Sequence, residues 1–297
     1  MEKCYVEGNK EIQPDAYTYN CVMNAWAKCG SSEEGARHAQ NLLQRMADKV
    51  QTGPDSISFN TVLNAWSNVG GKIAAQRAEE VLRLMEKVTG MESGVIVDRK
   101  SYTSVIKCWQ RSGLDDVSHE VIDLMNRMME QYKQGNTSAI PDVVTYNAAL
   151  QAFTSTKGGS DDKRHAFQLA QVIFKDMEEA PNISPDKLTY KLMMEACKIL
   201  VESLNDREKM ANNFFQQCCV DGRLDENILK AFQVAAPNAY GAEIGQKKLS
   251  DLPAEWVRNV KRWAPSKGRS NYRSYNTSNY RTKRGNARKT GQRHNNK

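Results

Sequence analysis

The chain of 297 residues lacks several features that would assign it to a common functional class. It has no run of 18 apolar residues, so the sequence predicts no membrane-spanning helix. Its seven cysteines form no Cys-x-x-Cys pair, and most lie in apolar helical stretches, which indicates buried thiols in a reducing compartment. Its four histidines are not spaced along the sequence as the ligands of a metal ion usually are; they are His38, His119, His165 and His294.

Sequence patterns of catalysis are absent as well. A zinc deaminase needs His-x-Glu and a later Cys-x-x-Cys, whereas His119-Glu120 and Cys218-Cys219 are adjacent pairs. Asp115-Asp116 and Asp161-Asp162 fall in predicted loops, where solvated turn residues are the ordinary case. No Gly-rich phosphate loop follows a strand-like segment. We therefore expect a binding protein without enzymatic activity, cofactor, metal ion or small-molecule substrate.

Acidic residues are missing from the C-terminal segment, where Ala264–Lys297 contains ten Lys or Arg and no Asp or Glu. Residues 1–263 carry 32 basic and 35 acidic side chains, a net charge of −3, so the formal charge of +7 originates in the C-terminal segment. That segment has almost no aliphatic residue, which predicts a disordered basic tail over 264–297. Because the rest of the chain is slightly acidic, a polyanion would have to bind it in a local groove.

A segment that begins with an Asp, usually after Pro, recurs along the chain and divides it into repeats. The Asp residues are 40, 43, 44, 44 and 39 positions apart. The copies begin at Pro14-Asp15, Pro54-Asp55, Val97-Asp98, Pro141-Asp142, Pro185-Asp186 and, in a decayed form, Leu224-Asp225. This spacing predicts five repeats, over 16–55, 56–98, 99–142, 143–186 and 187–225, and then a partial sixth repeat with a capping helix over 226–263.

Each recurring segment predicts the start of a helix, called helix A, with apolar residues at positions i, i+4 and i+7. In the first repeat these residues are Tyr19, Met23 and Trp26. After a loop rich in Gly, Ser and Asp, helix B carries apolar residues three, four and seven positions before a Met, such as Met46. Because one hairpin cannot bury its apolar faces alone, we expect an all-α solenoid of stacked helix-turn-helix hairpins, with the Trp and Met stripes in its core.

The N-terminal segment 1–15 resembles the end of a helix B. Met1-Glu2-Lys3 repeats as Met85-Glu86-Lys87, so the sequence predicts that a preceding repeat's second helix ends here and that Met1 is not the natural start. With Glu2, Glu7 and Glu11 and no apolar stretch, the segment has the pattern of neither a secretory signal nor an Arg-rich transit peptide.

These features together resemble the pentatricopeptide repeat family over residues 1–235. The features shared are the Pro-Asp motif, the Met that closes helix B, and the aromatic-Asn pairs Tyr19-Asn20, Phe59-Asn60 and Tyr146-Asn147. The extended repeats and the Asn-Ala-Trp signature at Asn24-Ala25-Trp26 resemble an algal or protist branch. The resemblance implies a right-handed superhelix whose helices A line a concave groove, where each repeat contacts one nucleotide of single-stranded RNA.

The resemblance also implies which side chains select the bases, namely the residue after the helix A aromatic and the last residue of the repeat. The pairs are Asn20 with Asp55, Asn60 with Asp98, Thr103 with Asp142, Asn147 with Asp186, and Lys191 with Asp225. The residues implied to pack against the bases are Tyr17, Ile57, Lys100, Val144 and Leu188. Lys100 departs from the family's apolar rule. Asn and Asp near a helix start also serve as caps and turns, and this alternative stays open.

The family's rules imply uridine for Asn with Asp and guanosine for Thr with Asp, and they place the N-terminal repeat at the RNA 5′ end. Repeats one to four then favour 5′-UUGU-3′, while the Lys191 repeat adds charge without a defined preference. We expect the tail to add phosphate contacts and stacking faces, unless it serves solubility alone. The phosphate-contacting residues of the tail would be Arg269, Arg273, Arg281, Lys283, Arg284, Arg288 and Lys289.

Two classes of function remain. We favour sequence-selective binding of single-stranded RNA by a monomer, in the processing, stability or translation of a transcript in a mitochondrion or plastid. The alternative is a scaffold for protein partners, since helical arrays also present concave surfaces to peptides and the body of the chain has a net charge of −3. The Asn, Thr and Asp pairs favour RNA, because a peptide groove would more often present Arg, Lys or exposed apolar residues.

Overall fold

The computed structural model describes residues 14–29, 32–48, 53–89, 94–180 and 183–260. These ranges contain twelve α-helices and no strand. In chain order they are α1 (Ala16–Lys28), α2 (Glu33–Ala47), α3 (Ser56–Val69), α4 (Lys72–Val88), α5 (Arg99–Gln110), α6 (Ser118–Lys133), α7 (Val143–Thr154), α8 (Ser160–Glu179), α9 (Lys187–Leu200), α10 (Leu204–Val220), α11 (Glu226–Ala235) and α12 (Pro237–Glu243). The odd-numbered helices are the predicted helices A, and the even-numbered ones through α10 are the predicted helices B.

Every helix A begins one residue after the Asp of its recurring segment. The Asp side chain accepts a hydrogen bond from a backbone N–H in the first turn, which otherwise has no partner in the helix. Such a cap typically contributes about 1 kcal/mol. The six capping residues are Asp15, Asp55, Asp98, Asp142, Asp186 and Asp225.

The helices pack in chain order, which confirms an all-helical array of neighbouring hairpins. Each helix A contacts the helix B that follows it and the helix A of the next repeat. The aromatic and Met stripes are buried between these helices, as predicted, and include Tyr102, Trp66 and Met85. Trp26 is the exception, because it remains partly exposed and stacks on His38 with ring centroids 4.3 Å apart.

The helices A are spaced more closely than the helices B. Among the described residues, consecutive helices A share extensive backbone contacts, whereas consecutive helices B share few or none. Open hollows separate the helices B instead, for example between α4 and α6 and between α8 and α10. Asp161 and Asp162, predicted to lie in a loop, form the first turn of α8.

The C-terminal end of the array differs from the capping helix that the sequence predicted within 226–263. The helix α12 ends at Glu243, and Gly245 follows it with a left-handed φ of 59°. The predicted capping helix after Pro253 is a single 3₁₀ turn, Ala254–Val257. This turn still covers α10, since the Leu224 N–H donates to the Trp256 carbonyl at 2.9 Å and the Trp256 ring meets Phe215 edge-on.

Several sequence predictions concern other parts of the chain. The helix B predicted near Met1 and the basic tail over 264–297 lie outside the described residues. Within the described ranges, no helix combines the length and the apolar character needed to cross a lipid bilayer.

One ion cluster joins the second and third repeats on the helix B side. Arg127 of α6 reaches Glu79 at 3.2 Å and Glu86 at 2.6 Å, both on α4, and Asp123 at 3.2 Å. The Tyr102 hydroxyl donates to Glu86 at 2.7 Å. Burial opposes the charge of Arg127, but the hydrogen bond and charge of Glu86, together with the other carboxylates, outweigh it and raise the pKa of the guanidinium.

Replacing Arg127 by Ala should destabilise the array by about 2 kcal/mol, because the partly buried Glu86 would lose the cation that pairs with it and Glu79 would keep only Arg83 of its own helix. Urea unfolding followed by helical circular dichroism measures this. The matched control is Arg37→Ala, whose exposed pair with Glu33 within α2 should contribute less than about 0.5 kcal/mol. Equal losses for the two variants would contradict a role of the cluster in joining the repeats.

Candidate nucleic-acid interface

In three repeats, the predicted base-selecting Asn and Asp come together at the start of the following helix A. The Asn20 amide Nδ2 donates to the Asp55 carboxylate at 3.2 and 3.3 Å. The Ser58 hydroxyl donates to Asn20 Oδ1 at 2.7 Å, and the Ser58 backbone N–H donates to Asp55 Oδ1 at 2.7 Å. We call this arrangement an inter-repeat triad: an Asn, the Asp that ends its repeat, and the Ser or Thr three residues beyond that Asp.

Two further repeats contain the same triad. Asn60 donates to Asp98 at 3.4 Å and accepts from the Ser101 hydroxyl at 2.8 Å. In the fourth repeat, Asn147 donates to Asp186 at 3.1 Å and accepts from the Thr189 hydroxyl at 2.8 Å. The structure therefore brings Asn and Asp of each predicted pair into direct contact in repeats one, two and four.

The triad sets the orientation of the Asn side chain. An ionised carboxylate only accepts hydrogen bonds, so the NH₂ end of the amide must face the Asp and its oxygen must face the hydroxyl. One amide hydrogen and lone pairs of the carboxylate oxygens then remain available to a ligand. The triads of Asn20 and Asn60, whose side chains are partly exposed, thus present one donor beside one acceptor, whereas Asn147 of the third triad is buried.

Hydrogen bonding also controls the charge of Asp55. Burial alone would raise the pKa of this carboxyl, but hydrogen bonds from the Ser58 backbone and hydroxyl and from Asn20 outweigh it and hold the pKa below its ordinary value of 3.8. The acceptor of the first triad is therefore ionised at neutral pH.

The third repeat has a different arrangement, with Thr103 in place of Asn. Thr103 is buried, and its hydroxyl donates to the Arg99 carbonyl at 2.7 Å and lies 2.9 Å from the Thr145 hydroxyl. The Thr145 backbone N–H donates to Asp142 at 2.9 Å, and Arg99 Nε lies 3.4 Å from the same carboxylate. Within the described part of the chain Thr103 makes no hydrogen bond to Asp142, and the Thr145 hydroxyl, 2.9 Å from Thr103 and 3.0 Å from Asp142, bridges the predicted pair.

In the fifth repeat the triad is absent. Lys191 occupies the Asn position and pairs with Glu195 at 3.2 Å, while Asp225 pairs with Lys187 at 3.5 Å. Ile228 stands where the other repeats have Ser or Thr. The predicted pair of Lys191 with Asp225 is therefore not formed.

The predicted base-flanking residues are exposed side chains at one register. Tyr17, Ile57, Val144 and Leu188 have 76%, 64%, 56% and 49% of their surface exposed. Such large apolar groups usually lie in the core, and the aromatic residues two positions further along are buried in every repeat. Lys100, the fifth member of the row, is exposed as well.

A hollow of about 490 Å³ lies at the third repeat. Its lining includes the flanking residue Lys100 and the selecting residues Thr103 and Asp142 of the third repeat, and also Val144 of the fourth repeat. Arg99 also contributes to this lining. One cavity therefore contains every side chain that the sequence assigns to the recognition of the third base.

Charge is divided between the two helix layers. The helices A carry eight Lys or Arg and two Glu, a net charge of +6, whereas the even-numbered helices carry thirteen basic and sixteen acidic residues, a net charge of −3. The six capping Asp residues offset the positive charge where each helix A begins. The remaining length of the helix A layer is positive, although the body of the chain is acidic overall.

The sequence interpretation missed the Ser or Thr of each triad. Its signal was present, because Asp is followed three positions later by a hydroxyl side chain in all five repeats, at Thr18, Ser58, Ser101, Thr145 and Thr189. Taken from the sequence alone, this spacing indicates only a helix cap. The predicted phosphate-contacting residues of the tail lie outside the described residues.

Comparison of the chain with known protein families finds no match, and comparison with curated proteins finds none either. Across the described parts of the chain, no three His, Cys, Asp or Glu side chains are grouped as a metal ion would require.

The low pKa of Asp55 predicts a pH dependence of stability. Folding lowers the pKa of Asp55, so the hydrogen bonds to its ionised carboxylate stabilise the folded state above pH 3.8. This stabilisation is lost as pH falls through the pKa of Asp55 in the folded state. Ser58→Ala removes the hydroxyl that bonds Asp55 and Asn20, so the variant should lose less stability on acidification than the wild type. Thermal unfolding between pH 6 and pH 3 measures the difference. Ser58→Thr keeps the hydroxyl and should behave as the wild type does, and identical pH profiles for all three proteins would argue against the triad.

Proposed function

We propose that this protein binds single-stranded RNA in a sequence-selective way and performs no catalysis. The observation that carries the proposal is the recurrence of the inter-repeat triad at one register, in repeats one, two and four, beside a row of exposed apolar residues. Polar groups with unused hydrogen-bonding capacity, flanked by exposed apolar faces, suit a nucleic-acid base, which has a polar edge and two apolar faces.

The packing supports a groove along the helices A. Where one layer of a two-layer array is spaced more closely than the other, the array curves towards the closer layer. The helices A are the closer layer, so we infer that they line the concave side of a superhelix. This is the arrangement that the pentatricopeptide resemblance implies. The positive charge of the same layer would attract the phosphates.

The chemistry of each repeat suggests the base that it selects. In the triads, one donor beside one acceptor complements the O4 and N3–H of uracil. In the third repeat the Thr103 hydroxyl hydrogen is used internally, so Thr103 and Asp142 both present acceptors, which suit the N1–H and N2–H of guanine. Arg99 adds donors for the guanine O6. With the family's orientation, repeats one to four would select 5′-UUGU-3′.

By the same resemblance, we place the protein in a mitochondrion or plastid, as a monomer that acts in the processing, stability or translation of a transcript. Fluorescence anisotropy with 5′-UUGU-3′ and with scrambled strands of equal length tests the binding proposal. A single mismatch should weaken binding by about 1–3 kcal/mol, the range for mismatches in protein–DNA sites. Absence of binding to any RNA, with retained binding to peptide partners, would establish the scaffold alternative.

Replacing Thr103 by Asn should change the preferred third base from guanosine to uridine and leave the other three positions unchanged, because Asn restores the donor of the triad. Anisotropy with four strands that differ only at the third base measures this. The matched control is Thr61→Asn, since Thr61 also donates to the carbonyl four residues earlier but lies outside the selecting register. A Thr103→Asn variant that folds, binds RNA and keeps its preference for guanosine would falsify the assignment of this position to base selection.

Deleting residues 264–297 should weaken binding to all RNA sequences to the same degree and reduce its salt dependence, because the segment contributes ten positive charges. Titrations at several salt concentrations, with the matched and a scrambled strand, measure both effects. If the slope of affinity against salt is the same without the segment, the tail does not contact phosphate.

A further inference from the structure

At the fifth repeat, the position that carries an Asn amide in the triads carries the amine of a lysine instead. Two of the three members of the triad are replaced there, since Lys191 stands in place of Asn and Ile228 in place of Ser or Thr, and the remaining Asp225 is paired with Lys187. The sixth repeat continues this change, because Lys230 of α11 occupies the position equivalent to Lys191. No donor-acceptor pair of the kind found in the triads remains at this end of the array.

The lysines of this region share one hollow. Lys191, Lys198 and Lys230 line a depression of about 320 Å³ between α9 and α11, together with Asn227 and Glu195. Glu195 pairs with Lys191 at 3.2 Å. Within the described ranges, the amines of Lys198 and Lys230 have no carboxylate partner and are exposed to solvent.

We propose that this hollow, formed by Lys191, Lys198 and Lys230, is a phosphate-binding site that holds the RNA backbone beyond the four selected bases, without reading sequence. The inference rests on the proposed RNA-binding function. A lysine amine has three donors and no acceptor, so it suits a phosphate oxygen and cannot complement the donor groups of a base edge. The site lies on the same row of helices as the triads, where a strand leaving the fourth repeat would pass next.

The test uses the full chain and strands in which the extra nucleotides have no base. The probes are 5′-UUGU-3′ and the same strand extended at its 3′ end by two abasic ribonucleotides, titrated at several salt concentrations. The wild type should bind the abasic extension more tightly than 5′-UUGU-3′, and as tightly as an extension with natural bases. An extension at the 5′ end serves as the control strand, and its effect should not depend on these lysines.

The variant Lys198→Gln/Lys230→Gln should lose the gain from the 3′ extension, and its salt slope should fall by about 1.4, since each phosphate contact on a single strand contributes about 0.7. Lys198→Arg/Lys230→Arg keeps both charges and should retain the gain. The matched control is Lys72→Gln/Lys87→Gln, which removes two exposed charges from α4 in the helix B layer.

The titrations distinguish failure of the proposed phosphate site from failure of the proposed RNA-binding function. A protein that binds no RNA contradicts the proposed function itself. A protein that selects 5′-UUGU-3′ but gains nothing from the abasic extension, or gains equally in the Gln variant, overturns the phosphate site and leaves the base selection intact. A gain that depends on the identity of the added bases would show that the fifth and sixth repeats read sequence, and would also overturn it.

Discussion

The carboxylate that starts each helix A belongs to two repeats at once. Asp55 caps α3 through the Ser58 backbone N–H and, with the same group, accepts from Asn20 of the repeat before it. A cap alone would stabilise one helix by about 1 kcal/mol. Because the carboxylate also holds a side chain of the neighbouring hairpin, the position of helix A along its axis is tied to the Asn beside it. The alignment of the triads along the array depends on this shared contact. The exposure of the apolar row, whose members lie three residues before the Asn position of each repeat, depends on it as well.

The sequence predicted most of the fold because the fold is made of local signals that recur. The Asp register, the i, i+4, i+7 apolar spacing and the Met of helix B each determine a helix start or a buried face within one hairpin, and the structure has these features where they were predicted. The C-terminal end was predicted less well. There the helix limits depend on the left-handed conformation of Gly245 and on a 3₁₀ turn that packs on α10, and neither follows from apolar periodicity.

The sequence predicted only part of the candidate site, because the contacts within the site join different repeats. The Asn and Asp positions were found by their register, but their contact joins residues 35 to 39 positions apart, and its third member, the Ser or Thr, had a sufficient local explanation as a capping residue. Thr145 bridges Thr103 to Asp142, and Asp225 pairs with Lys187 rather than Lys191. Both outcomes depend on which side chain lies closest to the carboxylate. These distances depend on how two neighbouring repeats pack against each other, and the sequence pattern of a single repeat does not predict that packing.

The sharing of one Asp between two hairpins has a consequence for how such arrays can gain or lose repeats. Between Asp15 and Asp186, a duplicated or deleted segment that runs from one capping Asp to the next keeps every Asn beside a carboxylate and a hydroxyl, because each new junction again joins an Asp to a Ser or Thr three residues later. An insertion or deletion that is not a whole number of repeats would instead separate an Asn from the hydroxyl of the next repeat that orients it. The unit of recombination that preserves recognition therefore runs from cap to cap, and it consists of one helical hairpin together with the Asp that ends it.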